Sequence, residues 1–155
     1  IQLGGNLGMY PRLLSSMFET VYTFEPDPLN FYILNLNCPM ENVVKTQAAL
    51  GGSQRLISMK RRSMSNLGMH QAIEEEGIIP RLTLNDFRAE NVDLLMIDVE
   101  GMETEVLFGV DRILNRDRPV IFLERPDEVA IEYLSSYNYR HIGTSVMDGI
   151  FIADI

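Results

Sequence analysis

The stretch that most constrains this chain is its opening, Ile1-Gln2-Leu3-Gly4-Gly5-Asn6-Leu7-Gly8, taken with Thr23-Phe24-Glu25-Pro26-Asp27 further on. A short apolar strand runs into a glycine turn, a helix follows, and a second apolar strand ends in an acid. That layout predicts a nucleotide site at the carboxyl ends of parallel strands, and with it a cofactor enzyme. The glycines remove Cβ atoms where the backbone turns sharply and a ligand comes close, and Asn6 tolerates the same dihedrals. Glu25 would stand beside the turn, its carboxylate able to accept from both hydroxyls of a ribose. A dinucleotide fingerprint would put a third glycine at position 9, where Met9 stands, so NAD is disfavoured.

The rest of the chain extends the same alternation. Pro11 suits a first helical turn, with Leu13, Leu14, Met17 and Phe18 on one face to cover the sheet. Val21 to Phe24 reads as a buried strand. Asp27 followed by Pro28 reads as an N-cap with proline at the first helical position, opening a helix striped by Leu29, Tyr32, Ile33 and Leu36. Asn42 to Ala49 gives a third strand closed by Gly51-Gly52. Right-handed crossovers then make a parallel sheet with helices on both faces. From about residue 51 to 90 the pattern weakens to strand-like pieces around Leu56 to Met59 and Ile78 to Leu84, and this reads as an irregular insertion beside the site. Val92 to Val99 is a nearly continuous apolar run, as a central strand buried on both faces requires. It ends Asp98-Val99-Glu100-Gly101. One helix through Val106, Leu107, Val110, Ile113 and Leu114 should follow, then a strand from Pro119 to Leu123 ending at Glu124. A last helix carries Val129, Ala130, Tyr133, Leu134 and Tyr137. Tyr139 to Ile142 and Ile150 to Ala153 close the chain as an antiparallel pair around a turn containing Asp148-Gly149.

At 155 residues this is one domain, able to bury roughly two-thirds of its unfolded surface. No apolar run approaches the ~18 residues of a bilayer span and no secretory pattern opens the sequence, so a cytoplasmic protein without membrane attachment is the default. The lone Cys38 cannot close an internal disulfide, which agrees with a reducing compartment. A net charge of −9 argues against nucleic acid as partner, because phosphate contact needs a basic surface. The sequence has no initiator Met and begins inside its first strand, so a preceding segment is expected.

These motifs together resemble the FkbM-type family of S-adenosylmethionine-dependent methyltransferases. The likeness runs from the glycine turn through Phe24-Glu25-Pro26-Asp27-Pro28 and Ala49-Leu50-Gly51 to Leu94-Leu95-Met96-Ile97-Asp98-Val99-Glu100-Gly101-Met102-Glu103, then Pro119-Val120-Ile121 and Tyr137-Asn138-Tyr139-Arg140. It implies the class I methyltransferase fold, a Rossmann-like three-layer sandwich whose seven-stranded sheet has six parallel strands and one antiparallel. It also implies S-adenosylmethionine as cofactor and methyl transfer to the hydroxyl of a small molecule or glycan. By the same resemblance Gly4, Gly5, Asn6 and Gly8 would line the amino-acid and ribose part of the cofactor. Glu25 would hold the ribose hydroxyls with Pro26 beside the adenine, and Asp98 and Glu100 would face the methyl group and acceptor. Family members usually carry Asp where this chain has Gln2 and Lys where it has Met96. The first change lowers the electrostatic hold on a cationic cofactor, and the second removes a charge behind the catalytic edge. They raise the alternative of a domain that binds or assembles without catalysing.

Methyl transfer from a sulfonium is an in-line displacement, so catalysis can come largely from holding donor and acceptor aligned. An acceptor hydroxyl must also lose its proton, which a carboxylate or imidazole can take. Asp98 is the first candidate, the plain alternative being an acid that caps the next helix. His70, in the insertion with Asn66 and Gly68, is a second candidate, and His141 a weaker one. Glu25, Asp98, Glu100 and Glu124 all end strands, placing four acids on one edge where they favour a nearby cation. Divalent metals also take oxygen ligands, but Asp98 and Glu100 alone make no coordination shell and no metal is assigned. Lys60-Arg61-Arg62, with Arg55 nearby, could recognise an anionic acceptor or simply form a solvated hairpin tip. Glu74-Glu75-Glu76 reads as exposed surface. The methionines, among them Met59, Met64, Met69 and Met102, read as core filler, able to adapt to an acceptor pocket.

Overall fold

The computed structural model describes residues 1–61, 70–73 and 77–154. Its main sheet is built from β1 (Gln2–Leu3), β2 (Val21–Phe24), β3 (Val43–Thr46), β8 (Leu94–Ile97), β9 (Val120–Glu124), β10 (Tyr139–Ser145) and β11 (Asp148–Ala153). The spatial order is β10-β11-β9-β8-β1-β2-β3. β11 runs antiparallel to both β9 and β10, while β9, β8, β1, β2 and β3 pair in parallel, so six strands share one direction and one opposes them. This is the expected seven-stranded α/β sheet. The chain steps outward from β1 through β2 to β3, then returns to β8 on the other side of β1. The order therefore reverses between β1 and β8, which opens a crevice at their carboxyl ends.

Alternation along the strands divides two cores. Leu95 and Ile97 face Leu3, Phe24, Ile121 and Leu123 and the helices α3 (Glu103–Leu107), α4 (Asp111–Arg116) and α5 (Glu128–Ser136) through Val106, Leu107, Ile113, Leu114, Ala130 and Leu134. On the other face Val21 and Val43, with Leu94 at the margin, meet Leu14 of α1 (Met9–Leu14) and Leu34 of α2 (Pro28–Asn37). Leu95 and Ile97 are buried to within 1% of completely, and each such side chain contributes roughly 1.5–3 kcal/mol.

Helix starts follow the sequence closely. Asp27 caps α2 by accepting from the amides of Leu29 at 2.8 Å and Asn30 at 3.1 Å, with Pro28 at the first position. Asp127 likewise caps α5 through the Ala130 amide at 2.7 Å.

Helix faces differ more. In α1 it is Pro11 and Leu14 that are buried, while Leu13 and Met17 are exposed, the helix having ended at Leu14. In α2 the inward stripe is Asn30, Phe31, Leu34 and then Cys38, and Leu29, Tyr32 and Leu36 point outward. The single helix expected through Val106 and Leu114 is two, broken at Gly109. Asn85 N–H at 2.9 Å and the Thr83 hydroxyl at 3.1 Å both donate to the Gly109 carbonyl, which therefore cannot serve a continuing helix.

The third strand also breaks. Ala48 N–H turns back onto the Thr46 carbonyl at 3.1 Å, a tight γ-type kink, and the chain leaves the main sheet. It enters a second sheet of order β4-β7-β5-β6, made of β4 (Ala49–Leu50), β5 (Arg55–Arg61), β6 (His70–Ile73) and β7 (Ile79–Leu82). The insertion expected to be irregular is thus an ordered sheet in its described part, with Ala49, Ile57 and Ile79 as its own small core and Met59 against them. Buried Arg81 fastens it to the main domain. Its guanidinium donates to the Ser53 carbonyl at 2.9 Å and the Ser53 hydroxyl at 2.5 Å, and lies 3.5 Å from Glu105 of α3. The closing hairpin turns at Val146-Met147, two residues before the expected Asp148-Gly149, which instead begin β11 with Asp148 paired to Glu124. A register shift between His141 and Gly143 accompanies the change. Among the described residues no helix is long and apolar enough to cross a membrane.

Candidate active site

The glycine turn is held from beneath. The amides of Gly4 and Gly5 both donate to the Phe24 carbonyl, at 3.1 and 2.9 Å, folding the end of β1 over the end of β2. Gly4 sits at φ +85°, and a Cβ there would lie 1.7 Å from the carbonyl oxygen of Asp98. No residue with a side chain can occupy the position without moving β8, so the turn and the carboxyl end of β8 are in direct backbone contact. Gln2 is fully buried behind the turn. Its amide donates to the Gly4 carbonyl at 2.8 Å and the Leu3 carbonyl at 3.3 Å, and accepts from the Thr23 hydroxyl at 2.6 Å.

A cavity of about 630 Å³, partly open to solvent, lies over this edge. Gly4, Asn6, Glu25, Pro26, Asp98 and Glu100 all line it, so the structure brings these six expected residues together. Gly5 and Gly8 do not line it. Gly5 is packed against Thr23 and Leu34, and Gly8 caps α1 against Cys38. Met96 and Gln2 are buried and outside the lining. His70 falls on β6 opposite Arg61, and the side chains of His70, Lys60 and Arg61 lie outside the described residues, as do Arg62, Met64, Asn66, Gly68, Met69 and Glu74, Glu75 and Glu76 altogether. His141 is on exposed β10, its ring 5.0 Å from that of Phe151, and takes no part in the cavity.

Glu25 is 5% exposed and held by its neighbours. Asn6 N–H donates to its Oε2 at 2.7 Å, Asp27 N–H to its Oε1 at 2.9 Å, and the Asn30 side chain bonds it as well. Burial pushes its carboxyl up, and the Asp27 and Asn6 amides hold it back. With three donors on its roughly four lone-pair sites, the carboxylate keeps room to accept from one further donor in the cavity.

Asp98 stands across the cavity. Burial, then a hydrogen bond with Glu124, then the charges of Glu124, Glu100 and Asp148 push its carboxyl up to about 7. The loop beyond it is fixed by Glu103, which accepts from the amides of Val99 at 3.2 Å and Gly101 at 3.0 Å. Glu100 and Gly101, at φ 56° and 96°, form the turn between them. Among the described residues no three His, Cys, Asp or Glu side chains converge to hold a metal ion.

Other residues at or beside the cavity were not assigned such a place from sequence. Asn30 was read only as helix although Glu25 is five residues before it, and Asp148 was read as turn because its partner Glu124 is distant in the chain. Ala49 and Leu50 reach the cavity through the kink at Ala48. Met59 and Met102 complete the wall, as the adaptable methionines noted above. The lining thus joins a buried carboxylate at Glu25, an acidic far edge at Asp98 and Glu100, and an apolar wall.

Comparison with known proteins agrees with this layout. Residues 17–141 match the model of the Methyltransferase FkbM domain. The chain is 27% identical over 143 residues to Methyltransferase 1 of Beauveria bassiana (strain ARSEF 2860), a match covering 72% of this chain and 57% of that protein. It is similar in fold to the crystal structure of Methyltransferase FkbM from Methylobacillus flagellatus KT, with a TM-score of 0.65 and 17% identity over 97% of this chain and 41% of that one. The chain therefore spans 57% and 41% of the lengths of these two relatives.

Proposed function

Since the chain belongs to the FkbM methyltransferase domain family, we propose that it moves a methyl group from S-adenosylmethionine to a hydroxyl oxygen of a small molecule or glycan. The observation that carries this reading is the meeting of Glu25 and Asp98 on opposite sides of one cavity, over a glycine turn with no room for a Cβ. The residues fit the cofactor. Gly4 and Asn6 bring backbone to its edge, Glu25 offers an acceptor to a ribose hydroxyl, Pro26 offers an apolar face to the base, and Asp98 and Glu100 favour a positive charge. When bound, S-adenosylmethionine supplies an electrophilic methyl group on a cationic sulfur.

The chain's own part is positioning and proton removal. Gln2 and the Phe24 carbonyl fix the turn, Glu103 fixes the loop after β8, and Ala49, Leu50, Met59 and Met102 exclude water from the acceptor side. Asp98 takes the hydroxyl proton. A base whose ionisation lies near neutrality is stronger than an ordinary carboxylate and still available, which is the useful compromise for general-base catalysis. Gln2 and Met96, the two positions that raised a non-catalytic alternative, lie outside the lining, and we keep the catalytic reading. The net charge of −9 argues against a nucleic-acid acceptor.

Calorimetric titration with S-adenosylmethionine and S-adenosylhomocysteine, with NAD as control, tests the cofactor. Micromolar binding of the first two and none of NAD is expected. A folded chain that binds neither refutes the proposal.

A further inference from the structure

We propose that the Asp98–Glu124 carboxyl pair exchanges one proton with the charge of the cofactor, releasing it as the sulfonium enters the cavity and regaining it from the acceptor hydroxyl. The inference rests on the cofactor reading above and adds a role for residues that the reading leaves idle.

The geometry is a row of acids across three strands. β8 and β9 run in parallel with Ile97 beside Leu123, so the next residues, Asp98 and Glu124, stand side by side. β11 runs antiparallel on the far side of β9 and pairs Asp148 with Glu124. Asp98 is the member that lines the cavity, and Glu124 is its neighbour on the adjoining strand and raises its carboxyl. Two carboxyl groups held side by side favour keeping one proton between them. The other charged groups around Asp98 are Glu100 on the same loop and Asp148 beyond Glu124. Glu103, at the start of α3, is engaged by the Val99 and Gly101 amides, and Glu25 faces Asp98 across the cavity. Among the described residues, the cation within ion-pair distance of Glu124 is Arg125, 3.6 Å from its Oε1 and 63% exposed, where solvent screens it.

Burial and these neighbours bring Asp98 up to about 7, so the pair can hold or lose a proton near neutral pH. A positive charge arriving beside Asp98 favours its ionised form, and the proton leaves to solvent. Asp98 is then a base when the acceptor hydroxyl arrives. As the new O–CH₃ bond forms and the CH₃–S bond breaks, the electron pair of the broken bond stays on sulfur and the hydroxyl proton passes to Asp98. The thioether left behind carries no charge, so the protonated pair is at rest beside it. The same pair thereby distinguishes donor from spent donor, because only the donor must displace a proton.

The test is calorimetry of the chain at pH 7 in phosphate and in Tris, whose ionisation enthalpies differ, with each of the two ligands. S-Adenosylmethionine is expected to release more protons per site than S-adenosylhomocysteine, and to bind severalfold tighter at pH 8 than at pH 6 by comparison with it. In Asp98→Asn that difference should vanish while both ligands still bind. In Glu124→Gln, Asp98 remains but loses the shared proton, and the pH at which the difference appears should move down. Carboxyl carbon-13 titration of the native chain, with and without S-adenosylmethionine, gives the same reading without a variant, the Asp98 resonance moving to a lower midpoint when the ligand is present. Equal proton counts for the two ligands, or a difference that survives Asp98→Asn, overturns the inference and leaves the proposed function standing. Absence of binding by either ligand overturns both.

Discussion

Gly4→Ala is the sharpest test of how this fold holds its site. Two separable costs follow from the structure. The first is the dihedral, since a residue with a Cβ at φ +85° loses roughly 1–2 kcal/mol relative to glycine. The second is the clash. A methyl carbon 1.7 Å from the Asp98 carbonyl oxygen is opposed by backbone on both sides, so either β1 or β8 must shift. Two hydrogen bonds are at stake, Gly4 N–H to Phe24 O and Asp98 N–H to Leu3 O, both 3.1 Å and each worth about 1 kcal/mol. The sum is about 3–4 kcal/mol, a large share of the 5–15 kcal/mol typical of a domain. In urea unfolding this should lower the midpoint by about 1–3 M at unchanged slope. Gly143→Ala is the control, because nothing lies within 4 Å of its Cβ position, and it should be neutral or stabilise by up to about 1 kcal/mol. A Gly4→Ala chain within about 0.5 kcal/mol of the native one would refute the claim that the turn and the Asp98 edge share one rigid contact.

Other outcomes follow from the same geometry. Glu25→Ala should weaken S-adenosylmethionine binding by about 1–3 kcal/mol in calorimetry, through the lost bond to a hydroxyl. Asp98→Asn should slow methyl transfer about 10²-fold or more in single-turnover measurements once an acceptor is in hand. The same variant should be more stable than the native chain above pH 7. Asp98 ionises near 3.8 unfolded and at about 7 folded, so its support for folding is complete below the first value and lost as pH rises through the second. The gain, about 1 kcal/mol after allowance for solvent screening, should vanish when the two chains are unfolded at pH 4. Asp27→Ala should cost about 1–2 kcal/mol in thermal unfolding, through loss of the cap on α2.

What could be read in the sequence was what local chemistry decides. The Asp27-Pro28 start of α2, the run that becomes β8 and the acids at the strand ends are set by residues adjacent in the chain. So are Gly4, Asn6, Glu25, Pro26, Asp98 and Glu100 as lining of a single cavity, since each sits at a strand end and the sheet brings strand ends together. What stayed hidden depended on distant partners. The break at Gly109 is made by Thr83 and Asn85, 26 and 24 residues earlier, taking its carbonyl. Leu29, Tyr32 and Leu36 have helical spacing as good as that of the true stripe, and only the sheet beneath decides which side is inward. Asp148-Gly149 has the composition of a turn, yet pairing with β9 makes it strand. The second sheet was hardest to see, because β4 is two residues long and means nothing without β7.

That second sheet has a consequence for how such a protein can change. The chain bends at Ala48 and hands one wall of the cavity to β4 and β5, while Glu25 and the glycine turn belong to the main sheet. Arg81 anchors the smaller sheet through Ser53 and Glu105, none of which lines the cavity. Under the proposed function, substitutions at Met59 would reshape the acceptor wall and leave Glu25 and the glycine turn in place. Acceptor choice could then drift in one module while the donor site is inherited in the other.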